Sequence, residues 1–141
     1  MNAFLLFLHL FGLMLGAAGG FASGILMRKA LAMPADQAKV VRSLGPLLAT
    51  IAAVGVAVLW VTGLIMVWSV WGGFGNLPRL FWLKAVFIVS LTVIVGLIHM
   101  TYAEIRKGNA GAATRLPLLG PAAGVSSLLA VLFAVYAFSK F

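Results

Sequence analysis

Four long apolar segments, separated by shorter polar stretches, make up most of the 141-residue chain. They lie at about residues 3–27, 44–70, 79–103 and 116–138. Each exceeds the ~20 residues that an α-helix needs to cross a bilayer. Lipid offers a backbone no hydrogen-bond partners, so a spanning segment of this kind is a helix. The pattern predicts an all-α, integral membrane four-helix bundle that forms a single transmembrane domain over residues 1–141.

The polar stretches carry turn signals. Residues 33–36 of the first loop, Met-Pro-Ala-Asp, predict a turn or a helix start, and the Gly-rich segment 72–78 ends in Pro78 as a tight turn does. The third loop covers residues 104–115. No basic residue precedes the first apolar segment, so we interpret it as a membrane helix rather than a cleaved signal peptide.

Composition supports a bilayer environment and excludes several kinds of site. The chain is 64% hydrophobic and 9% charged, whereas soluble domains are about 25% charged. The net charge of +8 comes without a basic groove lined by aromatic residues, so we expect no nucleic-acid binding. The chain has no cysteine, which excludes disulfides, thiolate metal sites, iron–sulfur clusters and c-type haem attachment.

The distribution of cations predicts the orientation of the helices. Most of them lie in the first and third loops: Arg28, Lys29, Lys39, Arg42, Arg106, Lys107 and Arg115. The other side holds Arg79, Lys140 and the chain amine. The positive-inside rule therefore places both termini outside, on the periplasmic side of a bacterial inner membrane. Four aromatic residues fall near that outer level, as an interfacial belt does: Trp68, Trp71, Trp82 and Tyr136.

A stripe of glycines runs along the first segment. Gly12, Gly16, Gly20 and Gly24 recur every fourth residue, and steps of four drift by only ~40° around a helix. A stripe without side chains lets a second helix approach closely, in the manner of a glycine zipper. The alternative is a flat wall for a planar cofactor or a lipid.

Three ionisable residues lie inside the apolar segments: His9, Lys84 and His99. Ionisable groups are costly in a membrane and are therefore candidates for function. Counted along the helices, His9 and Lys84 share an outer level with Met66 and Tyr136. His99 lies near the inner end of the third segment.

The depth of His99 separates it from His9 by more than ~10 Å in a ~30 Å hydrocarbon core. Two imidazoles on one iron need nitrogens only ~4 Å apart, since metal–nitrogen bonds are ~2 Å long, so one haem between these two histidines is not expected. Each group also has a purely structural alternative: interhelical hydrogen bonding for the histidines, and a Lys84 side chain that extends to the interface. The apolar segments contain no carboxylate, which disfavours ion pumping, and the chain lacks motifs for hydrolysis or phosphoryl transfer.

Several runs resemble a known group of membrane proteins. Residues 4–12, Phe-Leu-Leu-Phe-Leu-His-Leu-Phe-Gly, followed by Arg28-Lys29-Ala30-Leu31, resemble the first helix of copper-resistance protein D-like proteins, and Trp60-Val61-Thr62-Gly63 resembles their second. Leu83-Lys84-Ala85 with His99 is similar to the third helix of that group and of the HemJ-type protoporphyrinogen oxidases. The resemblance implies a small four-helix bundle that handles a metal or haem, with His9 and Lys84 at characteristic positions.

The leading hypothesis is a membrane protein that binds haem b or a metal near its outer leaflet and acts in redox chemistry or haem handling. His9 would be the metal ligand, and Met66, Lys84 and His99 are the further candidates for cofactor binding. The rival hypothesis is a non-catalytic accessory or assembly subunit of a larger membrane complex, or a homo-oligomer in the bilayer. A third hypothesis is a copper-handling permease. Whether the protein is an enzyme stays open from the sequence.

Overall fold

A computed structural model of the chain, which describes residues 2–139, is helical along nearly its whole length. Its five α-helices are α1 (Ala3–Leu31), α2 (Ala35–Ser43), α3 (Gly45–Ser69), α4 (Arg79–Arg106) and α5 (Leu116–Phe138). Two 3₁₀ helices, Phe74–Asn76 and Ala110–Arg115, lie in the connections. Four helical segments, which include α1, α3, α4 and α5, are long and apolar enough to cross a membrane. The predicted all-α fold with four candidate spanning helices is confirmed.

The four long helices form a bundle in which neighbours in sequence pack side by side. α1 packs most extensively on α3 and α4 on α5, and α1 also packs on α5. The neighbours run antiparallel, because the beginning of α1 contacts the end of α3 through His9 and Thr62. The beginning of α4 likewise contacts the end of α5 through Lys84 and Phe138.

Two helices extend beyond their predicted ends, and one additional helix appears. α1 ends at Leu31 rather than near residue 27, and α4 ends at Arg106 rather than near residue 103. Their last turns contain Arg28, Lys29 and Arg106, and cations are favourable at the negative end of a helix dipole. Within the first loop, α2 begins after Pro34 and carries Asp36 in its first turn, where an acidic residue is favourable.

The turn between α3 and α4 depends on two adjacent glycines. Gly72 has φ of 67° and Gly73 has φ of 119°, in the left-handed region that glycine adopts without a steric penalty. The Asn76 side chain donates a hydrogen bond of 2.8 Å to the Trp71 carbonyl oxygen and closes the turn. This geometry explains why a Gly-rich segment stands between two apolar helices.

Close contact between α1 and α3 is made by small residues on both helices. A Cβ on Gly55 of α3 would overlap the backbone of Gly12 and Gly16 in α1. A Cβ on Gly19 would lie 2.7 Å from the Leu48 carbonyl oxygen. The glycine stripe does not pack tightly along its whole length, because a Cβ at Gly20 or Gly24 would meet no atom within 4 Å.

The contact between α3 and α4 is less extensive and contains two polar bonds. Trp60 Nε1 donates to Thr92 Oγ1 over 2.9 Å, and His99 Nε2 lies 3.1 Å from the Ala49 carbonyl oxygen. A small apolar cluster fills the centre between them: Val56, Leu91, Val95 and Ala123. Interhelical hydrogen bonds of this kind contribute about 0.6 kcal/mol each in membrane proteins.

The two ends of the bundle differ in chemistry. We call the end at the α3–α4 turn the Trp end, because edge and stacking contacts join its aromatic side chains: Trp68, Trp71, Phe74, Phe81, Trp82 and Phe138. We call the opposite end, with the seven cations of the first and third loops, the basic end. Lys140, assigned to the Trp end by the charge count, lies outside the described residues. The side of the membrane on which each end lies stays a prediction.

Candidate metal-ligand site at His9

His9 is fixed by a hydrogen-bond relay from α1 to α3. Its Nδ1 lies 2.8 Å from Thr62 Oγ1, and Thr62 Oγ1 lies 2.6 Å from the Val58 carbonyl oxygen. A Thr62 hydroxyl that donates to the Val58 carbonyl oxygen accepts from His9, and the proton of His9 is then on Nδ1. In this arrangement Nε2 keeps a free lone pair. An imidazole oriented in this way is ready to bind a metal ion.

The Trp60–Gly63 segment of α3 makes three contacts with neighbouring helices. Thr62 binds His9, and Trp60 donates to Thr92 of α4. Gly63 faces the imidazole, because a Cβ built on it would lie 3.6 Å from His9 Cε1. Thr62 therefore holds the imidazole over Gly63, where an added methyl group would be in ordinary contact with the ring.

Lys84 lies at the same end of the bundle and interacts electrostatically with His9. Its Nζ is 5.6 Å from the centre of the Phe81 ring and 5.8 Å from the centre of the Phe138 ring. Both distances fall within the ~6 Å range of a cation–π interaction. An ammonium group within electrostatic reach of an imidazole can pair with an anionic group of a ligand that the imidazole holds.

The other two residues of the predicted outer level, Met66 and Tyr136, make no described contact with His9 or Lys84. Met66 follows Thr62 by one helical turn on α3 and is partly buried. Tyr136 on α5 has an exposed side chain. Among the described hydrogen bonds and ring contacts, none joins Met66 or Tyr136 to His9 or Lys84. His9 and Lys84 lie within electrostatic reach of each other, and Thr62 is a further partner of His9 that the sequence did not predict.

His99 belongs to a separate environment. Its Nε2 must carry the proton in the 3.1 Å bond to Ala49, because a carbonyl oxygen accepts. Ala49 and Thr62 are 13 residues apart on α3, which is about 20 Å at ~1.5 Å per residue. The two histidines bind α3 at opposite ends, so one iron cannot join them.

Tyr102 is a buried residue near the inner end of α4, at the level that the sequence predicts for His99. It is 6% exposed, and its hydroxyl has no well-formed hydrogen bond within the described part of the chain. Ser23 of α1 is its polar neighbour. The hydroxyl packs directly over Gly45, where a Cβ would overlap it. Lys84 and Tyr102 are 18 residues apart, five whole turns of one helix, and this spacing predicts a shared face that points into the bundle.

A central cavity lies between α1, α3, α4 and α5 but does not reach His9. It measures about 20 Å³, and its wall includes Gly20, Ser23, Gly124 and Ser127. A volume of this size accommodates about one water molecule. This cavity is therefore too small for a porphyrin ring. Within residues 2–139, no three His, Asp or Glu side chains come together to hold a metal ion.

Comparisons with family models, with curated proteins and with solved structures found no match to this chain. The resemblance to copper-resistance D-like and HemJ-type proteins stays a prediction. A function for this chain therefore has to be inferred from its own geometry.

Proposed function

We propose that this protein is a multi-pass membrane protein that binds a metal centre, a haem b iron or a single transition-metal ion, through His9 Nε2 at the Trp end. It would act in electron transfer or haem handling in a bacterial inner membrane. The observation that carries the proposal is the relay from His9 through Thr62 to the Val58 carbonyl oxygen. Metal-binding histidines almost always donate their second ring N–H in this way, and such bonds fix the ring and its tautomer.

The donor set fits a haem iron in two respects. One imidazole nitrogen would be free to coordinate, and Lys84 supplies a cation within electrostatic reach of His9 that could pair with a propionate. When bound, a haem iron supplies one-electron redox chemistry. The central cavity of about 20 Å³ does not fit the ring, so a haem on His9 would lie outside that cavity. Met66 has no described contact with His9 and is a secondary candidate, whereas His99 contacts α3 about 20 Å away and is too distant to share the cofactor.

The test is an oxidised-minus-reduced visible spectrum, with a pyridine haemochrome assay and metal analysis, of the protein purified in mild detergent. We expect a haem b signal near about one per chain, or a comparable amount of one transition metal. His9→Ala should abolish it. His99→Ala is the matched control, because it removes the same side chain about 20 Å away along α3, and it should retain the signal.

Thr62→Val adds a graded test of the relay. Valine keeps the shape of threonine but cannot accept from His9 Nδ1, and loss of such a partner typically weakens metal binding 10–100-fold. Unchanged cofactor occupancy in His9→Ala would refute the assignment. Copper in place of haem would favour the copper-handling alternative.

A second candidate function is an accessory or assembly subunit of a larger membrane complex, without chemistry of its own. A specific observation favours it: His9 and Lys84 already have partners inside the chain, in Thr62 and in the rings of Phe81 and Phe138. Both groups are therefore stabilised without a cofactor. Comigration with a large complex in native gels, from a colourless and metal-free protein, would support this function over the first.

A further inference from the structure

A groove at the basic end lies apart from the His9 site, between the end of α4 and the beginning of α5. It has a volume of about 330 Å³. Its apolar wall is formed by Leu97, Met100, Leu118 and Leu119. Leu118 is 76% exposed and Met100 is 60% exposed, so this wall faces the surroundings of the bundle. In a spanning protein those surroundings are acyl chains.

The end of the groove carries one charge of each sign. Arg115 Nη1 lies 3.3 Å and 3.4 Å from the two oxygens of Glu104. The two side chains are 59% and 36% exposed, so both can reach a ligand. Arg115 uses only Nη1 in this pair, and its other N–H groups make no hydrogen bond within the part of the chain that the structure describes. The Asn109 side chain also donates to Glu104, over 3.4 Å, and holds the carboxylate at this edge.

We propose that this groove binds a phospholipid with a primary ammonium headgroup, a phosphatidylethanolamine, one acyl chain of which lies along the apolar wall. The lipid phosphate would accept from Arg115, and its ammonium would donate to Glu104. The headgroup matches the two side chains in charge and in its ability to donate a hydrogen bond. A choline headgroup has no N–H to give to a carboxylate. A glycerol headgroup leaves the lipid with a net negative charge beside Glu104, and like charges repel.

Native mass spectrometry of the delipidated protein in mild detergent tests the proposal. Phosphatidylethanolamine, phosphatidylcholine and phosphatidylglycerol with identical acyl chains are compared at equal concentration. We expect the first bound lipid to be phosphatidylethanolamine by several-fold over the other two. Arg115→Ala should weaken its binding by about tenfold, since a charge-assisted hydrogen bond is lost. Arg106→Ala is the matched control: it removes a cation at the same end but outside the groove lining, and it should change little.

Glu104→Gln separates the headgroups most sharply. Loss of the carboxylate should lower binding of phosphatidylethanolamine and raise that of phosphatidylglycerol, so the ratio of the two falls. The ratio is measured within one sample, so partial unfolding of a variant does not affect it. Leu118→Trp, which fills the groove, should lower binding of all three lipids. Preference for phosphatidylglycerol in the wild type, equal binding of all three lipids, or an unchanged ratio in Glu104→Gln would each overturn the proposal.

Discussion

A single hydroxyl group decides which nitrogen of His9 is available. Thr62 has one hydroxyl proton, and when that proton is donated to the Val58 carbonyl oxygen, 2.6 Å away, the threonine accepts from the imidazole. At His99 the partner is itself a carbonyl oxygen, and the contact is made by Nε2. We therefore expect the two histidines, at the two ends of the bundle, to carry their protons on different nitrogens.

This difference predicts two distinct tautomers in one protein. At about pH 8, where an unperturbed imidazole is neutral, ¹⁵N NMR of the cofactor-free protein should show the proton on Nδ1 of His9 and on Nε2 of His99. Single substitution of either histidine by alanine assigns the signals. Thr62→Val should change the His9 signals alone. The same tautomer at both residues would contradict the relay.

The buried hydroxyl of Tyr102 leads to a prediction about stability. A polar group that is desolvated without a partner costs about 1–3 kcal/mol, so its removal should not harm the fold. We expect Tyr102→Phe to leave the free energy of unfolding in detergent unchanged within about 0.5 kcal/mol or to raise it by up to about 1 kcal/mol. Tyr136→Phe, at an exposed side chain, is the control and should be neutral. A loss above about 1 kcal/mol in Tyr102→Phe would mean that the hydroxyl pairs with Ser23 or a bound water.

At the scale of the helices, the α1–α3 pair depends on a backbone approach that only glycine permits. At Gly55 the obstacles to a Cβ are backbone atoms of Gly12 and Gly16, which cannot rotate away as a side chain does. We expect Gly55→Ala to lower the free energy of unfolding by about 1–3 kcal/mol. Thermal unfolding in mild detergent measures it.

Gly96 on α4 provides the control for that prediction. A Cβ there meets no atom within 4 Å, and alanine is the better helix former by up to about 1 kcal/mol. Gly96→Ala should therefore be as stable as the wild type or more so. Equal stability of the two variants would show that α1 and α3 are not in close contact at Gly55.

Hydropathy predicts the spanning helices well, because an apolar segment in lipid has few alternatives to a helix. It does not predict which face of a helix packs against which neighbour, since each span is apolar on all of its faces. The pairing of His9 with Thr62 depends on which faces meet, and so does the packing of the glycine stripe: Gly12 packs against α3, whereas the backbone of Gly24 lies near Gly120 of α5. The helix α2 was missed because nine residues with mixed polarity give a weak signal. Only its start, at Pro34, was indicated.

At the scale of the whole molecule, the asymmetry of charge is the basis for orientation. Seven cations lie in the two loops of the basic end, whereas Arg79 and Lys84 are the cations described near the Trp end. Cytoplasmic loops carry such an excess of Lys and Arg. We therefore expect the basic end in the cytoplasm, with the His9 site near the opposite leaflet and the Glu104–Arg115 groove in the cytoplasmic one.

The absence of cysteine makes this orientation directly measurable, because a single introduced thiol is the only one in the chain. Gly75→Cys places it at the Trp end, where a Cβ meets no atom within 4 Å, and Ala110→Cys places it in the exposed loop of the basic end. A membrane-impermeant maleimide should label Gly75→Cys in intact cells and Ala110→Cys only after permeabilisation. The reverse pattern would invert the topology and move the His9 site to the cytoplasmic leaflet. Its hydrogen bonds would be unchanged, but a metal bound there would exchange with the cytoplasm.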